Sequence, residues 1–277
     1  MEKWKKWKSG RSSAGFAALA LTLTMAPVLA QAPAAPTAKP APGPVKRMPD
    51  GTPDIQGMFM ADAGGANYGL ERRTGDALTP PARGVVVDPP DGKLPMQPWA
   101  VAEVASRALP ERGYDDPTAH CFVAGVPRSM YVPSPMHILQ PPGYVVILHE
   151  RMSWRIIPLG KTHTLPDNVR LWQGDSVGRW EGDTLVVETN NLRGAEEGLY
   201  DGWLDVRGTP YSGQAKFVER FRRPMFGKLE IDVTVEDPKA LTKPFTVRIN
   251  QRVMPDDEPI EFVCNENQQF RRRIKVD

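Results

Sequence analysis

Glu219 is the residue whose setting in the sequence most directly suggests chemistry. It lies two residues from Phe217 and two from Phe221, and side chains two residues apart in a β-strand point to the same face. Burial among aromatic rings raises the pKa of a carboxyl group, which suits a general acid or base whose loss would lower turnover by about 10²–10⁴-fold. The alternative is a structural ion pair with an arginine on a neighbouring strand. The sequence leaves both roles of Glu219 open.

Three further residues could take part in proton transfer. His149 ends a strand-like run in which it shares a face with Val145 and Ile147, and the alternative is an edge histidine whose hydrogen bonds are satisfied. Asp175 and Tyr211 lie in or beside predicted loops, where binding groups concentrate, although turn capping explains them equally well. The candidate catalytic residues are therefore Glu219, Asp175, Tyr211 and His149.

Several residues near these groups could bind a substrate. They are Arg179, Asp205, Trp172, Trp203, Phe217 and Phe221. Polar loop groups beside aromatic rings suit a small aromatic or hydroxylated hydrophobic molecule, and the alternative for the rings is ordinary core packing. No cofactor is predicted, because the chain has no Gly-rich phosphate-binding loop and no dinucleotide-binding motif. The four histidines lack metal-ligand spacing, so no metal site is predicted either.

The elements that must position these residues are short strands separated by turns. The predicted strands span 136–140, 144–150, 154–159, 169–173, 184–190, 215–223, 228–236, 245–253 and 260–264, with a possible first strand at 55–60 and one helix at 96–109. Alternation places Leu229, Ile231, Val233, Phe245, Val247 and Ile249 on the core face, and Glu230 and Asp232 on the solvent face. The pattern predicts an all-β, mainly antiparallel fold, a closed barrel or sandwich with one short helix before it. It excludes a doubly wound α/β fold.

The start of the chain predicts export. Five basic residues precede an apolar stretch that ends in small residues at position 30, which is typical of a signal peptide, and the stretch is shorter than the ~20 residues needed to span a bilayer. Residues 31–49 are rich in Ala and Pro and predict an extended linker, and residues 50–277 have the length of one domain. A periplasmic or secreted protein without an integral membrane segment is therefore predicted; its oligomeric state is not.

The charge of the chain depends on that signal peptide. Removing residues 1–30 takes away the five basic residues and Glu2, which changes the formal charge from +2 to −2. Nothing in the remaining chain favours nucleic-acid binding, which would need a basic stripe on one face. The predicted partner is a small-molecule ligand or substrate.

Cys121 and Cys264 are the two cysteines of the chain. In an oxidising compartment an even pair favours a disulfide, and the alternative is two buried free thiols. A disulfide would close a long loop and stabilise the fold by about 2–5 kcal/mol. It requires Cα atoms within about 7 Å of each other.

A longer sequence motif resembles that of a known protein family. The run Gly-Asp-Ser-Val-Gly-Arg-Trp-Glu-Gly-Asp-Thr-Leu-Val-Val-Glu-Thr at 174–189 resembles the signature of an uncharacterised family of secreted bacterial proteins, and matching pieces at 116–128, 203–205, 218–221, 237–244 and 263–267 cover most of the domain. Both cysteines fall within such pieces, which supports their pairing. The hairpin at 180–185 is also similar to those of lipocalin and fatty-acid-binding barrels, which implies a calycin-like barrel by analogy. Where the family is expected to have histidine, this chain has Asp175 and Tyr211, so imidazole or metal chemistry at those positions is not expected.

Two functions from different classes follow from these observations. The first, which is narrowly favoured, is a cofactor-independent acid–base enzyme, a lyase, isomerase or hydrolase, acting on an aromatic or hydroxylated hydrophobic compound. The second is a periplasmic carrier or sensor that binds an apolar small molecule without turnover. Removal of Glu219 discriminates them, because a carrier has no turnover to lose.

Overall fold

The computed structural model of the protein describes residues 44–62, 65–75, 81–112, 115–151, 153–198 and 201–264. All of them belong to one compact unit, Ala41–Asp277. The predicted signal peptide and residues 31–43 of the predicted linker lie outside the described residues. No helix in the described part of the chain is long and apolar enough to cross a bilayer.

Nine strands form an almost closed barrel. In chain order they are β1 (Gly57–Ala61), β3 (Met136–Leu139), β4 (Tyr144–His149), β5 (Ser153–Pro158), β6 (Asp175–Glu181), β7 (Thr184–Asn190), β8 (Lys216–Met225), β9 (Lys228–Glu236) and β10 (Phe245–Val253). The short β2 (Val86–Asp88) pairs with β10 outside this ring. The helices are α1 (Gly65–Tyr68) and α2 (Pro98–Arg107), with 3-10 helices at Pro110–Arg112, Pro117–His120 and Arg128–Met130. The prediction of an all-β barrel is confirmed, and the predicted helix corresponds to α2, which lies between the barrel strands β1 and β3 and not before the barrel.

The barrel closes through one pair of parallel strands, β5 and β6, which we call the seam. An odd number of strands requires such a pair. The ring order is β5-β4-β3-β1-β10-β9-β8-β7-β6, and every neighbouring pair along it is antiparallel. Strand direction therefore alternates, so β5 and β6, at the two ends of this order, run the same way. They meet through a parallel bridge between Leu159 and Gly178, and the Gly160 amide donates to the Gly178 carbonyl at 2.8 Å. Parallel neighbours need a crossover, which residues 159–174 supply.

The two faces of the C-terminal hairpin follow the predicted alternation. Leu229, Ile231, Val233, Phe245, Val247 and Ile249 are all buried in the core. On the outer face Arg248 Nε pairs with Asp232 at 2.6 Å, and Glu230 accepts from Lys228 at 2.7 Å. The predicted core face is therefore confirmed.

Two predicted strands are wrong, and two strands, the short β2 and β6, were missed. Residues 169–173 belong to the crossover, where Leu171 makes only an isolated bridge to Leu192, and residues 260–264 contain no strand. Strand β6 was not predicted because Gly178 and the charged residues Asp175, Arg179 and Glu181 interrupt the alternation of apolar and polar side chains. A Cβ at Gly178 would approach side-chain atoms of Ile157 and Leu159 at 3.0 Å, so any larger residue would push these two side chains aside at the seam.

Candidate functional site

A cavity of about 260 Å³ lies beside the hairpin between β4 and β5. Three segments distant in sequence enclose it: the loop from Thr118 to Ser134, the β4–β5 hairpin, and the C-terminal stretch at 262–264. Its apolar lining is Phe122, Val123, Ala124, Val132, Phe262 and Val263, together with both half-cystines. Its polar lining is Thr118, Ser129, Ser134, His149, Arg151 and Ser153. An apolar pocket with a few polar groups is the usual form of a small-molecule site.

A buried ion pair fixes the loop wall of this cavity. Arg128 donates from Nη1 and Nη2 to the two carboxylate oxygens of Asp116 at 2.9 and 2.6 Å, and from Nε to Asn67 at 3.2 Å. Asp116 also accepts from the Thr118 amide at 2.9 Å, which caps the 3-10 helix at Pro117–His120. Burial opposes the charge on Asp116, but Arg128 outweighs it and lowers the pKa of this carboxyl. The ion pair therefore joins the 3-10 helix at Arg128–Met130 to Asp116, the residue before the 3-10 helix at Pro117–His120.

The predicted disulfide is present and forms another part of the wall. Cys121 and Cys264 are bonded, with their Cα atoms 5.7 Å apart. The bond ties the C-terminal stretch, which carries Phe262 and Val263, to the loop. It therefore joins two of the three segments that enclose the cavity.

His149 supplies the cavity with a neutral imidazole. Its side chain is 6% exposed, and neither ring nitrogen has a hydrogen bond of good geometry to a described residue. Burial first, and the charge of Arg155 second, lower the pKa of His149 to about 3, although the Ser129 main chain slightly opposes this shift. At neutral pH the ring therefore offers one donor and one acceptor.

Two more buried polar atoms near His149 lack a partner among the described residues. They are the Ser129 hydroxyl in the cavity wall and Nε of Arg155 on β5. In the antiparallel register His149 faces Ser153, and Arg155 lies two residues further along the same inner face. Buried polar groups are nearly always satisfied, so a cluster of unsatisfied ones indicates a place for a ligand or ordered water.

Glu219 lies deeper in the barrel, paired with Arg155. Nη1 and Nη2 of Arg155 donate to the two oxygens of Glu219 at 2.9 and 2.5 Å. Nη2 also donates to Ser176 and Thr189 at 3.0 Å each, and Thr189 donates to Glu219 at 3.2 Å. Glu219 is fully buried and is not among the residues lining the cavity. The structure thus contains the ion pair foreseen as the alternative, and the catalytic role of Glu219 stays a prediction.

The other two candidate catalytic residues lie apart from the cavity lining. Asp175 contacts His163, with 2.9 Å between Oδ2 and Nδ1, beside the crossover. Tyr211 is buried edge-to-face against Phe217, with ring centroids 5.4 Å apart, and burial raises its pKa well above the ordinary value. Of the four candidates, only His149 lines this cavity.

The candidate substrate-binding residues are similarly dispersed. Arg179 is exposed and pairs with Glu181 and Glu188 on the outer face, while Phe217 and Phe221 are fully buried core residues. Asp205 accepts from the amides of Leu70, Arg207 and Thr209, and burial raises its pKa. Trp203 is buried beneath the guanidinium of Arg107.

Trp172 alone among these six adjoins the cavity. Its ring stacks on Phe122, a lining residue, with centroids 5.2 Å apart. Trp172 therefore supports the wall of the cavity without lining it.

No protein-family model matches this chain, and no curated protein or solved structure matches it either. The resemblance to the secreted bacterial family therefore stays a prediction. Within the described residues, no group of three or more His, Cys, Asp or Glu side chains could hold a metal ion. Function has to be argued from the cavity itself.

Sequence reasoning missed much of that cavity. Arg155 carried no reliable signal, because the opposite face of β5 bears the more apolar Trp154 and Ile156, which are nonetheless exposed, so the apolar pattern favours the wrong face. Ser129, Arg151 and Phe262 carried none, because they lie in a three-residue 3-10 helix, a turn and an irregular segment, where periodicity places no side chain.

The shifted pKa of His149 predicts a specific dependence of stability on pH. The folded pKa of about 3 lies below the ordinary value of 6.5, so between these two values only the unfolded chain takes up the proton. Stability is greatest above the unfolded pKa and is lost as the pH falls. From about pH 7 to about pH 5 this single group should cost about 2 kcal/mol of unfolding free energy.

Urea unfolding of the native protein and of His149→Gln at both pH values measures this cost. The variant should lose about 2 kcal/mol less on acidification, since the remaining histidines and the carboxylates contribute to both proteins. Parallel pH dependence of the two proteins would show that His149 is not held neutral by the fold.

Proposed function

We propose that this protein is an exported carrier or sensor that binds a small molecule in the cavity beside the β4–β5 hairpin. The observation that carries the proposal is that two buried polar side chains of the cavity wall, Ser129 and His149, make no hydrogen bond of good geometry to a described residue, while much of the remaining lining is apolar. A ligand with an apolar body and one polar end would satisfy both. The predicted signal peptide and the disulfide support a location outside the cytoplasm.

The volume of the cavity limits the size of the ligand. An engineered cavity of about 150 Å³ holds a benzene molecule. At about 260 Å³, the cavity has room for one substituted ring and little more. The proposed ligand is therefore a monocyclic or similarly small compound.

Two properties of the site favour binding over proton transfer. A base with a pKa of about 3, as in His149, has little driving force to remove a proton at neutral pH. Both carboxylate oxygens of Glu219 are engaged by Arg155, and Glu219 does not line the cavity. Rapid acid–base turnover would require a group that lines the cavity, has a pKa closer to neutral pH than that of His149, and is not held in an ion pair as Glu219 is.

An acid–base enzyme, such as a lyase, isomerase or hydrolase, is the second candidate. It is supported by the presence of a hydroxyl and an imidazole, Ser129 and His149, in the same cavity, where neither side chain has a hydrogen bond of good geometry to a described residue. These are the types of group that act as nucleophile and base in covalent catalysis. Recovery of a bound compound in chemically altered form would favour this candidate.

Phenol and indole are suitable probes of the proposed function. Titration followed by NMR should shift the signals of Ser129, Val132 and His149, and calorimetry should give a dissociation constant between about 1 μM and 1 mM. Ala124→Trp, which fills the cavity, should abolish these shifts. Ile156→Trp, on an exposed outer position, should preserve them.

The carrier proposal also requires that both probes are recovered unchanged after prolonged incubation. Absence of any shift at cavity residues with either probe at millimolar concentration would contradict it, as would equal binding to the Ala124→Trp variant.

A further inference from the structure

Building on the proposed binding function, we infer that the ligand is a small aromatic carboxylate with a hydroxyl group at its opposite end. Arg151 binds the carboxylate at the mouth of the cavity, the ring lies between apolar side chains, and His149 with Ser129 binds the hydroxyl group inside.

The charge of the lining carries the first step. Among the described lining residues, Arg151 is the one side chain that is charged at neutral pH. It is exposed, its guanidinium lies 5.5 Å from the centroid of the Phe262 ring, and no described carboxylate forms an ion pair with it. The neighbouring Glu150 instead accepts from the Ser134 hydroxyl at 3.2 Å. A guanidinium that forms no ion pair with a described carboxylate, at the mouth of a partly apolar cavity, is suited to bidentate binding of a carboxylate.

The inner end of the cavity favours a neutral group. Neutral His149 provides one donor and one acceptor, and the Ser129 hydroxyl provides both functions. A ligand hydroxyl can donate to one of these groups and accept from the other. Arg155, near His149, already forms a buried ion pair with Glu219, so neither a carboxylate nor an ammonium group of the ligand would find an unbalanced charge at this end of the cavity.

The walls between these two ends favour a flat ring. Phe262 lines one side under Arg151, and Phe122, backed by the stacked ring of Trp172, lines another. Aromatic side chains bind planar rings through offset or edge-to-face contacts. The position of Phe122 is fixed near the disulfide by its neighbour Cys121.

Three probes separate the parts of this inference in calorimetric titrations. They are 4-hydroxybenzoate, which has both polar ends, 4-hydroxybenzyl alcohol, which lacks the carboxylate, and benzoate, which lacks the hydroxyl. The first should bind at least about tenfold more tightly than the alcohol, because a hydrogen bond to a charged group contributes more than one between neutral groups. It should bind about fivefold more tightly than benzoate.

Variants assign each difference to a residue. Arg151→Gln should bring 4-hydroxybenzoate and the alcohol to similar affinities, and His149→Phe should remove the advantage over benzoate. Arg179→Gln, which removes an exposed outer-face arginine, is the matched control and should change neither ratio.

The results distinguish this inference from the function on which it rests. Equal binding of the acid and the alcohol, or a carboxylate preference that survives Arg151→Gln, overturns the inference while the binding function stands. Binding of none of the three compounds, with no NMR shift at cavity residues from phenol or indole, overturns both.

Discussion

Replacing Glu219 by glutamine is expected to lower the free energy of unfolding by about 3–5 kcal/mol. The side chain of Arg155 is 2% exposed and that of Glu219 is fully buried, so the substitution leaves a guanidinium without its counter-charge in the barrel interior. Loss of one partner of a buried pair is costly because the other charge remains desolvated. Urea unfolding at neutral pH measures the change.

Removing both charges should have a much smaller effect. Arg155→Met combined with Glu219→Leu keeps the interior filled, and such replacements are often neutral or stabilising by about 1–4 kcal/mol. The outer pair of Arg248 and Asp232 is the matched control, since Asp232→Asn at a partly exposed site should cost no more than about 1 kcal/mol. Native stability in the Glu219→Gln protein would show that Arg155 is not confined to the buried pair.

The double variant also gives a clean test of the catalytic role of Glu219. Activity lost by Glu219→Gln alone could reflect unfolding, whereas the double variant should fold. If the folded double variant still turns over a compound that the native protein converts, Glu219 is not the acid or base. If turnover alone disappears while ligand affinity persists, the acid–base enzyme replaces the carrier as the better function.

Strand parity predicted which side chains enter the barrel but not which of them meet there. The two-residue period put Glu219 on the inner face with Phe217 and Phe221, and all three are fully buried. The partner on β5, Arg155, is 64 residues away and meets Glu219 only through closure of the barrel at the β5–β6 seam. Closure depends on strand number and register, which a local pattern does not contain.

The errors in strand assignment have a related cause. Residues 169–173 have the apolar alternation of a strand, yet they lie in the crossover that a barrel with an odd number of antiparallel-paired strands requires at its seam. Gly178 weakens the same signal in β6, where the side chains of Ile157 and Leu159 pack close to it. These two errors arise at the one place where the barrel departs from simple up-and-down connection, whereas the wrong strand at 260–264 and the missed β2 lie away from it.

The cavity was the least predictable feature, because irregular segments build most of it. Periodicity placed His149 on an inner face, but Arg151 and Phe262 lie in irregular segments, and the 3-10 helix that contains Ser129 is too short to show a periodic pattern. The cysteine pair was the one sequence feature that linked two of its walls. Both half-cystines line the cavity.

Removing the disulfide is expected to have the second large effect. Cys121→Ser combined with Cys264→Ser should lower the free energy of unfolding by about 2–5 kcal/mol, because the bond closes a loop spanning a sequence separation of 143 residues and restricts the unfolded chain. Urea unfolding measures the loss. The native protein in reducing agent should match the variant, and its cysteines should react with thiol reagents only after reduction.

The same variant should weaken ligand binding, even under conditions where it stays folded. Phe262 and Val263 lie next to Cys264 in a stretch that, between 258 and 264, makes no main-chain hydrogen bond to other described residues. Without the covalent link, ordering this wall around a ligand costs conformational entropy, about 1–2 kcal/mol for each backbone residue fixed. The affinity for 4-hydroxybenzoate should therefore fall by at least about tenfold in calorimetric titrations. Unchanged affinity in the folded variant would mean that contacts other than the disulfide hold the C-terminal wall in place.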